Sequence, residues 1–120
     1  MRAISDSDID YLRGFIDEHP LGFIGWGEHQ IQLRYNRLQI DIQCDFLIEW
    51  PGGKARRQLP FNASLEVGHL LGKRLINFEC NDEGRLVLHA SDAVRLMVIP
   101  DHQPNEHCVI RTDENGFVIF

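Results

Sequence analysis

From residue 31 the chain alternates apolar and polar residues with a period of two. Ile31, Leu33 and Tyr35 open the pattern, and Leu38, Ile40, Ile42, Cys44, Phe46, Ile48 and Trp50 continue it. Alternation of this kind is the mark of a half-buried β-strand. The two runs also test one another. With Asn36-Arg37 as a two-residue turn, Tyr35 opposes Leu38, Leu33 opposes Ile40 and Ile31 opposes Ile42, so every pair is apolar on one face. Arg37 is a poor residue for positive φ, so the pairing is better defined than the turn type. Thirteen residues exceed the usual strand length, and Leu47 breaks the clean alternation. A bulge or bend is therefore expected near Phe46-Leu47.

Before this region the period is helical. Ile9, Leu12, Phe15 and Ile16 share a face, Ser5 or Ser7 is placed to cap the first turn, and Asp8 and Asp10 suit its positive end. Pro20 and Gly22 stop the pattern, giving a helix over 6–18. After Pro51-Gly52-Gly53, residues 55–59 return beside the long strand, and Asn62 or Ser64 caps a short helix over 65–71.

Further strands carry Ile76, Phe78 and Cys80, then Leu86, Leu88 and Ala90, then Val94, Leu96 and Val98. Holding their apolar faces together puts Leu88 opposite Leu96 across a three-residue turn, Ser91 to Ala93. Asp113-Glu114-Asn115-Gly116 joins a final hairpin, 108–112 with 117–120. Leu21-Gly22 parallels Leu71-Gly72, Ile31-Gln32-Leu33 parallels Leu86-Val87-Leu88, and Ile40-Asp41-Ile42 parallels Leu96-Met97-Val98. Either two β units, 22–60 and 72–120, are duplicates, or this is the likeness any two hairpins share. The expected fold is mainly β (α+β): an N-terminal helix, then antiparallel hairpins in a β-sandwich or partly closed barrel.

Length and composition leave that picture intact. The 120 residues make one domain, 43% hydrophobic and 25% charged. No apolar run approaches the ~18 residues of a membrane span. Residues 1–10 hold Asp6, Asp8 and Asp10 and no apolar core of a leader, so a cytoplasmic location is expected. Net charge is −6. Such a surface repels phosphate backbones, which disfavours nucleic acid and favours a basic protein as partner.

Candidate chemistry is sparse. The three cysteines, Cys44, Cys80 and Cys108, form no C-x-x-C pair and read as buried thiols. His102 and His107 lie near Glu106 and Cys108, with His69 or His89 as further candidates, but at no zinc-motif spacing. Cys108 with a histidine base is the nucleophile alternative. His107 itself would point to the opposite face of the strand, so it is badly placed to activate the thiol. No phosphate loop, dinucleotide fingerprint or nucleophile elbow occurs, so no cofactor is expected and catalysis is the minor reading.

The polar face of the long strand is more suggestive. Asp41, Asp45 and Glu49 project together, the first two ~13 Å apart, and form an acidic stripe that would fit the basic groove of a nuclease. Arg34, Lys54, Arg56 and Arg57 are near in sequence and would neutralise it by cross-strand pairing. Glu79, Asp82 and Glu83 make a second acidic patch. Trp26, between Gly25 and Gly27, is the candidate surface anchor, while Trp50 keeps core parity.

A small acidic β-rich domain of this kind resembles the immunity proteins that bacteria encode beside polymorphic or contact-dependent toxins. It is also similar to small bacterial domains built as glycine, strand, hairpin and a Glu-containing last strand, here Glu106-His107-Cys108-Val109-Ile110. The resemblance implies a non-catalytic inhibitor of a cognate toxin, monomeric or homodimeric. The competing expectations are a small metal-binding or hydrolytic enzyme using His102, His107 and Cys108, and a self-associating structural module.

Overall fold

A computed structural model of the chain describes residues 4–58, 65–100 and 107–120. The chain enters through helix α1, Asp6–Arg13. Ser5 and Asp8 close a capping box: the Ser5 hydroxyl accepts from the Asp8 N–H at 3.2 Å, and the Ser5 N–H donates to the Asp8 carboxylate at 2.9 Å. The helix ends at Arg13 rather than Glu18. Gly14 is the C-cap, still in right-handed helical dihedrals, and tight bonds from Phe15 N–H to Leu12 O and Ile16 N–H to Arg13 O then carry Phe15 inward.

Among the described residues ten strands follow in two antiparallel sheets. Sheet A contains β1 (Phe23–Trp26), β2 (Ile31–Arg34), β3 (Leu38–Ile42), β9 (Cys108–Thr112) and β10 (Phe117–Ile119), in the order β1-β2-β3-β9-β10. Sheet B contains β4 (Asp45–Trp50), β5 (Gly53–Arg57), β6 (Leu75–Cys80), β7 (Leu86–Ala90) and β8 (Arg95–Ile99), in the order β5-β4-β8-β7-β6. Among the described residues no ladder joins the two sheets, so the fold is a sandwich and not a closed barrel.

The expected long strand is one run of chain in two sheets. It leaves sheet A after Ile42 and enters sheet B at Asp45, so the bend falls at Gln43-Cys44, earlier than Phe46-Leu47. The change of partner sets its place. Gln43 N–H still reaches His107 O at 2.8 Å, but from Asp45 onward the neighbour is β8. Leu38, Ile40, Ile42, Cys44, Phe46 and Ile48 are all at most 3% exposed, so inward parity survives the bend.

Registers follow the apolar pattern. Leu33 pairs with Ile40 and Ile31 with Ile42, and Tyr35 N–H donates to Leu38 O at 2.8 Å. Leu88 faces Leu96 across a 3₁₀ turn at Ser91–Ala93, where Asp92 and Ala93 take φ of 60°. Asn115 supplies a left-handed φ of 63° in the last hairpin. Gly53 is needed for another reason: a Cβ there would lie 2.8 Å from the Trp50 indole.

The two sheets repeat one plan. Reading sheet B from its far edge, β6-β7-β8-β4-β5 corresponds to β1-β2-β3-β9-β10. Each half of the chain builds a three-stranded meander in one sheet and lends a hairpin, β4-β5 or β9-β10, to the other. The paired motifs Leu21-Gly22 and Leu71-Gly72 meet in space: Gly72 N–H donates to Leu21 O, and Leu21 N–H to Lys73 O, both at 2.9 Å.

Helix α1 spans the gap between the sheets. Ile9, Leu12 and Phe15 are buried in the common core. The Arg13 guanidinium donates to Asn77 Oδ1 and Phe78 O on β6, and the Tyr11 hydroxyl lies 3.3 Å from Thr112 Oγ1 on β9. Parity across the bend generates a direct test. Phe46→Ala should cost about 3–5 kcal/mol in urea unfolding because it empties a site with no solvent access. Leu47→Ala, one residue on and half-buried on the outer face, should cost about 1 kcal/mol or less. Equal losses would reject the inward parity of β4.

Candidate protein-binding surface

Strand register decides which outward side chains become neighbours. Across sheet A one row reads Phe23, Arg34, Gln39, Arg111, Phe117, and the next Gly25, Gln32, Asp41, Val109, Ile119. Across sheet B one row reads Lys54, Glu49, Arg95, His89, Asn77, and the next Arg56, Leu47, Met97, Val87, Glu79. The bend therefore divides the anticipated stripe. Asp41 belongs to sheet A, whereas Asp45 and Glu49 belong to sheet B.

Each of the three carboxylates has an arginine. Asp41 is only 3% exposed, ion-paired with Arg111, and accepts from Gln39 Nε2 at 2.9 Å. Asp45 pairs with Arg56 at 3.4 Å, and Glu49 with Arg95 at 3.2 Å. Of the anticipated neutralisers, Arg56 makes such a pair. Arg34 lies on sheet A, over the Phe23 ring at 4.7 Å and bonded to Gln32, and Arg57 pairs with Glu66. The decisive Arg95 and Arg111 were missed because they are 46 and 70 residues from their partners. Only the pairing of β4 with β8 and β3 with β9 brings them close.

Sheet B gathers most of the remaining acidic candidates. Glu79 Oε2 lies 2.5 Å from His89 Nε2, and Glu83 pairs with Arg85 at 3.2 Å. Asp82 stands exposed in the β6–β7 turn. Asn81 holds that turn, accepting from Glu83 N–H and Arg85 N–H, and its side-chain amide reaches Met97 Sδ at 3.2 Å. The outer face of sheet B thus has an apolar middle, Leu47, Met97 and Val87. Ion pairs lie along one side and Glu79, Asp82 and Glu83 at the other end. An apolar centre with a polar rim is the anatomy of a protein interface.

The aromatic candidates separate as well. Trp26 ends β1 at the edge of sheet A, 47% exposed, beside a groove lined by Phe23, Gly25, Gly27, Gln30 and Gln32. Trp50 packs on the core and stacks on His69 with ring centroids 4.3 Å apart.

The cysteine and histidine candidates lie deep. Cys44 and Cys108 are fully buried, and His107 is 2% exposed. Desolvation, followed by the nearby Cys44 and Asp41, pushes the Cys108 thiol well above its usual pKa. That opposes formation of a thiolate nucleophile. Cys80 is only partly covered, and its thiol is also pushed up, first by burial and then by Asp6 and Glu79. His102 and Glu106 lie outside the described residues. Among the described residues no three His, Cys, Asp or Glu side chains gather as a metal site, and no helix is long and apolar enough to cross a membrane.

Comparison with protein-family models, with curated proteins and with solved structures finds no match to this chain.

The ion pairs differ in consequence. Arg111→Ala strands a buried Asp41 and should cost about 2–3 kcal/mol, whereas Arg56→Ala removes an exposed pair and should cost under about 1 kcal/mol. Equal values by chemical denaturation would mean Asp41 is solvated. In alkylation of the native protein at pH 8, Cys80 should label while Cys44 and Cys108 label only on unfolding. Labelling of native Cys108 would contradict its burial.

Proposed function

We propose that the chain is a non-catalytic protein-binding domain of the immunity type, which neutralises a cognate basic toxin domain. The observation that carries this reading is the outer face of sheet B: the apolar row Leu47, Met97, Val87, its first two residues half-buried and Val87 buried, between charged borders, on a protein of net charge −6. The apolar centre supplies affinity when a partner excludes water. The carboxylates steer a positively charged partner and set its orientation.

Within this reading the acidic residues have unequal roles. Glu79, Asp82 and Glu83 are the steering group, since two of them border the exposed β6–β7 turn. Asp45 and Glu49 hold Arg56 and Arg95 against the sheet and shape the rim. Asp41 is a structural carboxylate of sheet A. A hydrolytic role through Cys108 fits poorly with a thiol held protonated in the core.

The test uses the product of the neighbouring gene, where that is a secreted protein with a variable C-terminal domain. The full chain should bind that domain in a titration and abolish its toxicity on co-expression. Met97→Asp should weaken binding about 30-fold or more, the loss of a hot spot worth ~2 kcal/mol. Reversing Glu79, Asp82 and Glu83 to lysine should slow association about tenfold at low salt and far less at high salt. Binding untouched by both changes would move the interface off sheet B, and absence of a complex would reject the immunity reading.

A further inference from the structure

Among the described residues the sandwich has four edge strands, and three of them are protected against pairing. Edge β5 carries Lys54, Arg56 and Arg57, charges that discourage an incoming strand. Edge β6 is bulged between Leu75 and Asn77, and Arg13 of α1 already occupies its Phe78 carbonyl. Edge β10 is three residues long, with Tyr11 of α1 packed against the adjoining Gly116. Edge β1, Phe23-Ile24-Gly25-Trp26, has no charge, no proline and no bulge.

Its backbone is also directed outward. Gly27 N–H donates to Gln30 O at 2.7 Å, closing the β1–β2 hairpin. Antiparallel alternation then turns the N–H and C=O of Gly25 and Phe23 toward β2, and those of Ile24 and Trp26 toward the open side. Four strong hydrogen-bonding groups lie along a strand whose two large ends, Phe23 and Trp26, are each 47% exposed.

The side chains of this edge complement themselves. Phe23, Gly25 and Gly27 share the outer face. The Phe23 ring leans over Gly25, its Cε1 3.1 Å from where a Cβ would stand, while Gly27 has no side chain over it and a Cβ there would meet the Gln30 carbonyl at 3.7 Å. Beside them runs a groove of about 340 Å³, lined by Phe23, Gly25, Trp26, Gly27, Gln30 and Gln32. A second β1 laid antiparallel and centred on Gly25 puts Ile24 opposite Trp26 of the second copy, both in hydrogen-bonded positions. It puts Gly25 against Gly25 at the close-approach pair, where the absence of side chains suits a short Cα separation. Phe23 of the second copy then stands over Gly27, in the groove, as an aromatic ring covering a cross-strand glycine. Knob and hole lie on one strand and exchange under a two-fold, as an isologous interface requires.

We infer that two copies of this chain associate through β1, antiparallel about Gly25, joining two sheets A into one continuous ten-stranded sheet. The seam uses an edge of sheet A and leaves the outer face of sheet B free, so it stands independently of the partner-binding reading.

The full chain is sedimented from ~10 µM to ~1 mM, the range suited to a seam smaller than standard interfaces. Its mass should rise from 13.9 kDa toward twice that value. Amide exchange at Ile24 and Trp26 should slow at least tenfold over the same range, while Gly25, already bonded to β2, changes little. Phe23→Lys, which places a charge on the edge, and Trp26→Pro, which removes an outward N–H, should each stay at the monomer mass with a far-UV spectrum like the parent's. A parent that remains at 13.9 kDa at the highest concentration overturns the proposal. A dimer that forms with no slowing at Ile24 and Trp26 also overturns it, and this reading holds even if either variant misfolds.

Discussion

The fold depends on one constraint, that the run from Leu38 to Trp50 present the same face to the core while it changes sheets. Six of its apolar residues have almost no exposure, although five lie in two different ladders and Cys44 in the bend between them. A one-residue slip at the bend would turn Phe46 and Ile48 outward and Leu47 and Glu49 inward. The bend at Gln43-Cys44 preserves parity, so a single strand ties the two layers into one core. In the second half of the chain β8 lies in one sheet and β9 in the other. Each sheet is then completed by a hairpin from the other half, and neither half can close its core alone.

That exchange accounts for the chemistry at the surface. Strand β9 returns to lie beside β3, and so brings Arg111 to Asp41. Strand β8 lies beside β4 and brings Arg95 to Glu49. In both cases a carboxylate on the long run meets a guanidinium from the other half. The buried pair on sheet A is the costlier to break, because Asp41 has little solvent to fall back on once Arg111 is removed. The exposed pairs on sheet B add little stability.

What could be read from the sequence follows the range of the forces involved. The hairpin registers at Leu33–Ile40 and Leu88–Leu96 were legible because local alternation and short turns specify them. The internal repeat was legible as a pattern, since Leu21-Gly22 and Leu71-Gly72 stand out in the chain. Their hydrogen bonding to one another was not. Pro20 predicts a helix running to residue 18, yet the regular helix ends at Arg13 and the apolar spacing of Phe15 and Ile16 is met by tight turns. The bend was placed at the visible break in alternation. Its true position is set by where β9 begins and β8 takes over, and nothing local to Gln43 records that. The acidic stripe failed as a continuous feature for the same reason, because which arginine meets which carboxylate is a property of strand order.

Faces and edges place different demands on such a sandwich. A face is filled by alternation, so its outward positions can be charged or paired, and on sheet B those around the row Leu47, Met97 and Val87 are. An edge is governed by the backbone, which alternation cannot hide. The chain sets lysine, arginine, a bulge and helix α1 on three edges, while the fourth has Gly25, the adjoining Gly27 and two exposed aromatics. Glycine weakens a strand by leaving it little to pack, so its place in β1 is unfavourable for an isolated edge. The same residues become useful when another backbone approaches closely. The contrast between β1 and the other edges therefore says more about association than any exposed side chain considered singly.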